Sequence, residues 1–186
     1  MISRVGYPER VSGRIEFINA SCGGVPKRSM FEGLITEAGL DGDRQRDLRY
    51  HGGPDRAIVL FSLDVIHALQ QEGHPIAAGT TGENLTVSGM DWTSLAPGAE
   101  LQIGEVRLHI TSYAAPCETI GPSFLKRDFP RISQKVHPGW SRLCARVLHG
   151  GLVRIGDAVA LSHKPSALPS PQPSALSPKP FLVDRR

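Results

Sequence analysis

The apolar positions of this chain fall in short runs, most of them with a two-residue period. Between Arg14 and Ile18, Ile15 and Phe17 alternate with polar neighbours, which predicts a first strand. Leu34 to Leu40 carries a weaker form of the pattern and predicts a second. Ala57-Ile58-Val59-Leu60-Phe61 is continuously apolar, as in a strand buried on both faces. The period then changes. Ser62 is placed to cap a helix, Asp64 sits in its first turn, Leu63, Ile66 and Leu69 share one face, and Gly73 ends it. Leu85 to Val87 predicts another short strand. Glu100 to Ile103, Gly104-Glu105 and Val106 to Thr111 read as a hairpin, because Val106, Leu108 and Ile110 alternate with Arg107, His109 and Thr111. Pro122 predicts the start of a short helix carrying Leu125 and Phe129. Ala145 to Leu148, Leu152 to Ile155 and Ala158 to Leu161, separated by His149-Gly150-Gly151 and Gly156-Asp157, predict a closing meander. Short strands with glycine turns and two or three helices argue for a mostly-β barrel or sandwich.

Composition refines this in one respect. The 186 residues include 15 prolines, and the proline excess is concentrated beyond Lys164. The run Lys164 to Pro180 cannot build a ladder or a helix, because proline removes donors and fixes φ. The expected organisation is therefore one domain over 1–163 and a Pro/Ser-rich flexible tail over 164–186, dispensable for fold and ligand binding. The formal charge of +3 belongs to that tail, which holds Lys164, Lys179, Arg185 and Arg186 against Asp184 and leaves 17 acids and 17 bases in the body. A global basic field for nucleic acid is thus not supported. Local basic clusters exist around His51 (Arg44, Arg46, Arg49, Arg56) and from Lys126 through Arg127, Arg131, Lys135 and Arg142 to Arg146. Each reads equally as solvated surface or as a seat for an anion.

Cys22, Cys117 and Cys144 are odd in number and widely spaced, with no Cys-x-x-Cys, which argues against a disulfide framework and a zinc knot. The amino terminus has no apolar core of a signal peptide, and Ala57 to Phe61 is too short to span a bilayer. A reducing, cytoplasmic location without membrane attachment is expected.

Four blocks carry candidate chemistry: Asp43-Arg44, Tyr50-His51-Gly52-Gly53-Pro54-Asp55-Arg56, Gly82-Glu83-Asn84-Leu85 and Pro116-Cys117. Each bends or is polar and adjoins a β-like run, the arrangement of loop-borne site residues on a rigid scaffold. A thiolate is a competent nucleophile and a ligand for soft or intermediate metals. Glycine admits backbone N–H groups close to an anion, and Arg44 and Arg56 can bind phosphate bidentately. The bland readings are a buried inert cysteine, a glycine turn with surface arginines, and a turn with Asn84 left-handed ahead of a strand. No Gly-x-Gly-x-x-Gly or Walker motif follows a strand, which disfavours a Rossmann site and a P-loop. Taken alone, the residues support a β-rich domain whose loops gather a thiol, a His, several Arg and an Asn around an anionic ligand.

The ordered set Gly42-Asp43-Arg44, His51 through Ala57, Gly82 through Leu85, Pro97 through Gly104, Pro116-Cys117, Gly139-Trp140 and Gly156-Asp157 resembles a stand-alone bacterial MOSC domain from about Gly13 to Leu161. The resemblance implies a β-barrel that binds the molybdenum cofactor, with Cys117 as the protein ligand to the metal. It implies a pocket built by Arg44, His51, Gly52, Gly53, Arg56, Glu83 and Asn84, the basic and glycine groups meeting the pterin phosphate. The implied activity is two-electron reduction of small N-hydroxylated substrates. The chain lacks a ferredoxin-like cysteine set, so a separate protein would donate electrons. No role for pyridoxal phosphate is expected. Two other functions compete: a cofactor carrier or sulfur-transfer protein using a Cys117 persulfide, and a binding module without cofactor.

Overall fold

The computed structural model describes residues 11–44 and 52–163, with side chains left aside at Val11, Ser12 and His163. The Pro/Ser-rich run and His51 lie outside the described residues. Eleven strands are present among them: β1 (Val11–Ala20), β2 (Arg28–Met30), β3 (Glu32–Thr36), β4 (Gly39–Leu40), β5 (Ile58–Ser62), β6 (Leu85–Ser88), β7 (Glu100–Ile103), β8 (Val106–Ala114), β9 (Arg142–His149), β10 (Gly151–Arg154) and β11 (Ala158–His163). One α-helix, α1 (Leu63–Gln71), and several 3-10 turns are also present among the described residues. No described helix is long and apolar enough to cross a membrane.

Seven strands close on themselves in the order β1-β11-β7-β8-β9-β5-β6, and β6 returns to β1. Closure removes the open edges that an antiparallel sheet would otherwise present. Of the pairs in this ring only β5 and β6 are parallel, and α1 begins the connection between them. A parallel pair needs such a crossover, whereas the antiparallel neighbours β7 and β8 turn tightly at Gly104-Glu105. β2 extends β1, while β10, β3 and β4 form a separate three-stranded sheet.

The two-residue period explains the packing. Val106, Leu108 and Ile110 of β8 point into the barrel with Leu101 and Ile103 of β7, and all are buried. Leu143, Ala145 and Val147 continue that face on β9, as do Leu60, Leu85 and Ile15 on their strands. α1 starts as its sequence predicts: the Ser62 hydroxyl accepts from Val65 N at 3.3 Å. Its buried face is Val65, Ile66 and Leu69, with Leu63 only partly covered.

Two expectations are corrected. The closing segments do not form a meander. β10 leaves the barrel to pair with β3, in register Leu152↔Leu34, and β11 pairs with β7 and β1. The glycines of His149-Gly150-Gly151 permit the departure, since a Cβ at Gly150 would meet the Ile35 carbonyl oxygen at 2.5 Å. Pro122 lies inside a 3-10 turn, Glu118–Ser123, and starts no helix. From Glu118 to Ile132 the chain is a strap of 3-10 turns, and irregular turns carry it on to Arg142. Pro122, Pro130 and Pro138 interrupt any longer helix there.

Candidate functional site

Two of the polar blocks, Asp43-Arg44 and Gly82 to Leu85, meet through a hydrogen bond from Asn84 to Asp43. Asp43 is the first junction. Its Oδ1 accepts from Ser21 N at 2.8 Å, and its Oδ2 accepts from Lys27 Nζ at 2.5 Å and from Asn84 Nδ2 at 2.8 Å. Asn84 in turn bolts two strands together. Its Oδ1 accepts from Val59 N at 3.0 Å, its main chain bonds Val59 O and Asn19 N, and it is 1% exposed. Lys27 is nearly as buried as its partner, and burial holds its ammonium below the ordinary lysine value despite Asp43 and the nearby Glu83.

Glu83 is wholly buried. Its Oε1 accepts from Gly79 N at 2.5 Å and from Thr86 Oγ1 at 3.3 Å, and its Oε2 accepts from Thr81 Oγ1 at 2.7 Å. A carboxylate buried this way needs cations, and Lys27 and Arg142 provide them. Gly82, not Asn84, takes the positive φ of this loop, at 85°. Its missing side chain leaves room for Val25 and for the Arg142 guanidinium, 4.0 Å from where a Cβ would stand.

Arg142 is the centre of the arrangement. On β9 the odd residues 143, 145 and 147 face the core, so Arg142 and Cys144 face outward, beneath the covering loops. The guanidinium donates through Nη1 to Thr81 O and through Nη2 to Ala115 O at 3.4 Å. Its Nε has no partner. Burial works against its charge, while Glu83, Cys144 and Cys117 favour it, so the cation sits among one carboxylate and two thiols. Arg142 appeared in the sequence only as one member of a basic run. The signal that distinguishes it is its place at the head of the apolar run Leu143-Cys144-Ala145, where a solvated arginine is out of keeping. Lys27 likewise carried no signal beyond following a proline.

The two thiols differ. Cys117 is half-buried and opens the strap, with its carbonyl accepting from Ile120 N at 3.1 Å. Cys144 is buried, and burial pushes its thiol up, opposed by a hydrogen bond with Ser112 and by the Arg142 and Arg56 charges. Cys22 is exposed.

A cavity of about 440 Å³ is lined by Gly52 through Arg56, Thr111 and Ser112. The loop over it is fastened by its own residues. Asp55 pairs with Arg146 at 2.6 Å, and the Thr111 hydroxyl lies 2.5 Å from Asp55 O and 3.1 Å from Cys144 O. Thr111 is free for this because the β8–β9 ladder has a bulge between Ile110 and Ser112. Gly53 adopts φ 94°, and no atom lies within 4 Å of where its Cβ would be. Of the sequence-predicted residues, Gly52, Gly53 and Arg56 therefore share this cavity. Arg44 lies on the wall of a smaller one of about 280 Å³ formed by Thr36 and Ala38 to Arg44. Glu83 and Asn84 are inside the wall, and Cys117 is joined to the group through Arg142. No cluster of three metal-ligating side chains occurs among the described residues.

The architecture is a small closed β-barrel, mostly antiparallel, with a buried arginine in its wall. The chain belongs to the MOSC domain family, whose model matches residues 47–160; that family is linked to the molybdenum cofactor. It is 28% identical to Protein YiiM of Escherichia coli (strain K12) over 112 residues, covering 58% of this chain and 50% of that protein. It is 26% identical to Uncharacterized protein YflK of Bacillus subtilis (strain 168) over 129 residues, covering 69% and 58%. The chain thus spans little more than half the length of these relatives. The fold is similar to the crystal structure of YiiM from Escherichia coli, with a TM-score of 0.63 at 22% identity, covering 87% of this chain and 73% of that one. It is also similar to that of the YUAD protein from Bacillus subtilis, with a TM-score of 0.65 at 20% identity, covering 82% and 96%.

Proposed function

We propose that this chain binds the molybdenum cofactor on the covered wall of its barrel and acts as an oxidoreductase on small N-hydroxylated substrates, with electrons from a separate donor protein. The observation that carries the reading is Arg142: a buried guanidinium whose Nε has no partner and whose Nη2 donates to Ala115 O, two residues ahead of Cys117. The donor set fits the group. A half-buried thiol suits a soft or intermediate metal, and Arg56 with Gly52 and Gly53 suits a phosphate. The cofactor supplies two-electron redox chemistry when bound.

The chain's own residues bind and position. Cys117 is the protein ligand to the metal. Gly53 lets an anion approach the main chain, and Arg56 balances its charge. His51, next in sequence to Gly52, is proposed to bind the same phosphate, and Arg44, on the wall of the smaller cavity, is proposed to add positive charge. Glu83 and Asn84 act through the wall: the first keeps Arg142 charged, and the second ties the start of β6 to Val59 and Asn19. Arg142 supports the main chain leading to Cys117 through Ala115 O.

The test is molybdenum analysis and pterin fluorescence on protein purified gently under anaerobic conditions. Molybdenum and pterin in near-equal amounts are expected, and Cys117→Ser should lose metal-dependent turnover with a chemical electron donor while keeping its melting temperature. Full turnover in Cys117→Ser would sink the ligand assignment. A persulfide on Cys117 without molybdenum would establish the sulfur-transfer role instead, and the absence of metal, pterin and persulfide would leave a binding module.

A further inference from the structure

The strap reverses direction at Leu125 to Asp128, where Asp128 N donates to Leu125 O at 3.1 Å. Both central residues are left-handed, Lys126 with φ 53° and Arg127 with φ 60°, and no other non-glycine residue among those described has a positive φ. That backbone belongs to a type I′ turn, where Asn-Gly sits without strain and a residue such as lysine does not. Strain of this kind persists only where the surroundings hold it, and it gathers where a segment is put to use.

The surroundings do hold it. Before the turn, Phe124 is buried with its ring against His74, and Leu125 N donates to His74 Nδ1 at 3.0 Å. After it, Arg131 binds Glu72 through Nε at 2.9 Å and Nη2 at 2.6 Å. Within it, Arg127 donates to Glu118 Oε1 from Nε at 2.7 Å and to Glu118 O from Nη2 at 3.2 Å. Gly121 makes room for that guanidinium, since a Cβ there would stand 2.9 Å from Arg127 Cζ. The turn is thus folded back onto the residue that follows Cys117.

What it holds out is an ammonium beside an apolar side chain. Leu125 is 51% exposed. Lys126 is exposed, and neither it nor exposed Lys135 has an ion-pair partner among the described residues. Arg127 and Arg131 are taken up by Glu118 and Glu72, and Asp128 acts on Arg131. The uncompensated charge of the strap is therefore positive. An exposed leucine beside an uncompensated lysine is complementary to a protein surface with an apolar centre and an acidic rim.

We infer that the Leu125–Asp128 turn is where an acidic electron-carrier protein docks. This role, which rests on the oxidoreductase reading, puts the carrier beside the turn that opens at Cys117 and gives its surface a sign. Conversion of N–OH to N–H and water consumes two electrons and two protons. The carrier brings the electrons and water the protons, so a one-electron carrier docks twice per turnover.

The cofactor-loaded chain is assayed on benzamidoxime at low ionic strength, with reduced methyl viologen or a reduced, acidic plant-type ferredoxin as donor. Lys126→Asn relaxes the turn, so it should melt at or above the wild-type temperature and keep viologen-driven turnover. Its KM for ferredoxin should nevertheless rise about fivefold, Lys126→Glu should raise it further, and both differences should shrink at about 0.5 M salt. A lysine with a structural role only would leave the KM for ferredoxin unmoved. Docking is also read without turnover, by titrating oxidised ferredoxin into the isotopically labelled chain: amide signals between 118 and 128 should shift in the wild type and stay in place in Lys126→Glu. Unchanged signals in the wild type, an unchanged KM in both variants, or a wild type that viologen serves and ferredoxin does not, overturns the docking role. No turnover with viologen overturns the oxidoreductase reading instead, and leaves the titration to decide whether the turn meets an acidic protein.

Discussion

Replacing Glu83 by alanine removes the acceptor of three hydrogen bonds and a carboxylate that two cations share. Gly79 N–H and the Thr81 hydroxyl lose an acceptor at 2.5 and 2.7 Å, in a place that water does not reach. Lys27 and Arg142 lose the carboxylate that balances them. Hydrogen bonds to a charged partner contribute about 1.5–3 kcal/mol each, and breaking a buried ion pair by removing one member costs about 3–5 kcal/mol. These figures overlap, because the same carboxylate serves both purposes. We therefore expect a loss of about 4 kcal/mol, not their sum. For a domain of this size that corresponds to a fall in Tm of roughly 10 °C. Equilibrium urea unfolding followed by circular dichroism should show a lower midpoint with an unchanged slope, since the surface exposed on unfolding is the same. Glu83→Gln keeps the shape and one acceptor oxygen and should fall between the two. A Glu83→Ala protein that unfolds within about 1 kcal/mol of wild type would refute the claim that this carboxylate holds the wall together.

Gly79→Ala should destabilise strongly, by about 3 kcal/mol or more, because φ is 79° and the new Cβ would stand 2.5 Å from Lys27 O; a thermal melt checks it. Ser62→Ala removes the acceptor for Val65 N and should cost about 1 kcal/mol in the same melt. Iodoacetamide alkylation of the folded protein at pH 8 should modify exposed Cys22 first and Cys144 last, at least tenfold more slowly, because Cys144 is buried and its thiol is held above the usual value; peptide mass spectrometry gives the order.

How much of this was legible in the chain depends on the range of the interaction. The hairpin β7–β8 and the start of α1 were readable because alternation, a two-residue turn and a capping serine are local. The departure of β10 to β3 was not, since Gly151 to Arg154 pairs with residues about 120 positions earlier and nothing nearby names that partner. The same holds at the site. Gly52, Gly53 and Arg56 form one contiguous block, and the structure keeps them together. Glu83 and Asn84 were noticed for being polar, but their surroundings come from three other segments, which decide that they face inward. Arg142 shows the converse. Its charge was visible, yet its burial depends on Thr81, Glu83, Ala115 and the two cysteines, none of them within one turn of it except Cys144.

Barrel closure has a consequence for the order in which the molecule can assemble. The ring is completed by β1 against β11, with Val11 opposite Ala160 and Arg14 opposite Ala158. Emerging from a ribosome, the chain must therefore wait for its last described strand before the first one finds its final neighbour. Until then β1 and β7 each present an unpaired edge, the form of β structure most prone to join another molecule. Loss of β11 would remove a neighbour from both β1 and β7 at once, so a chain stopped before Ala158 should yield aggregates and no smaller barrel.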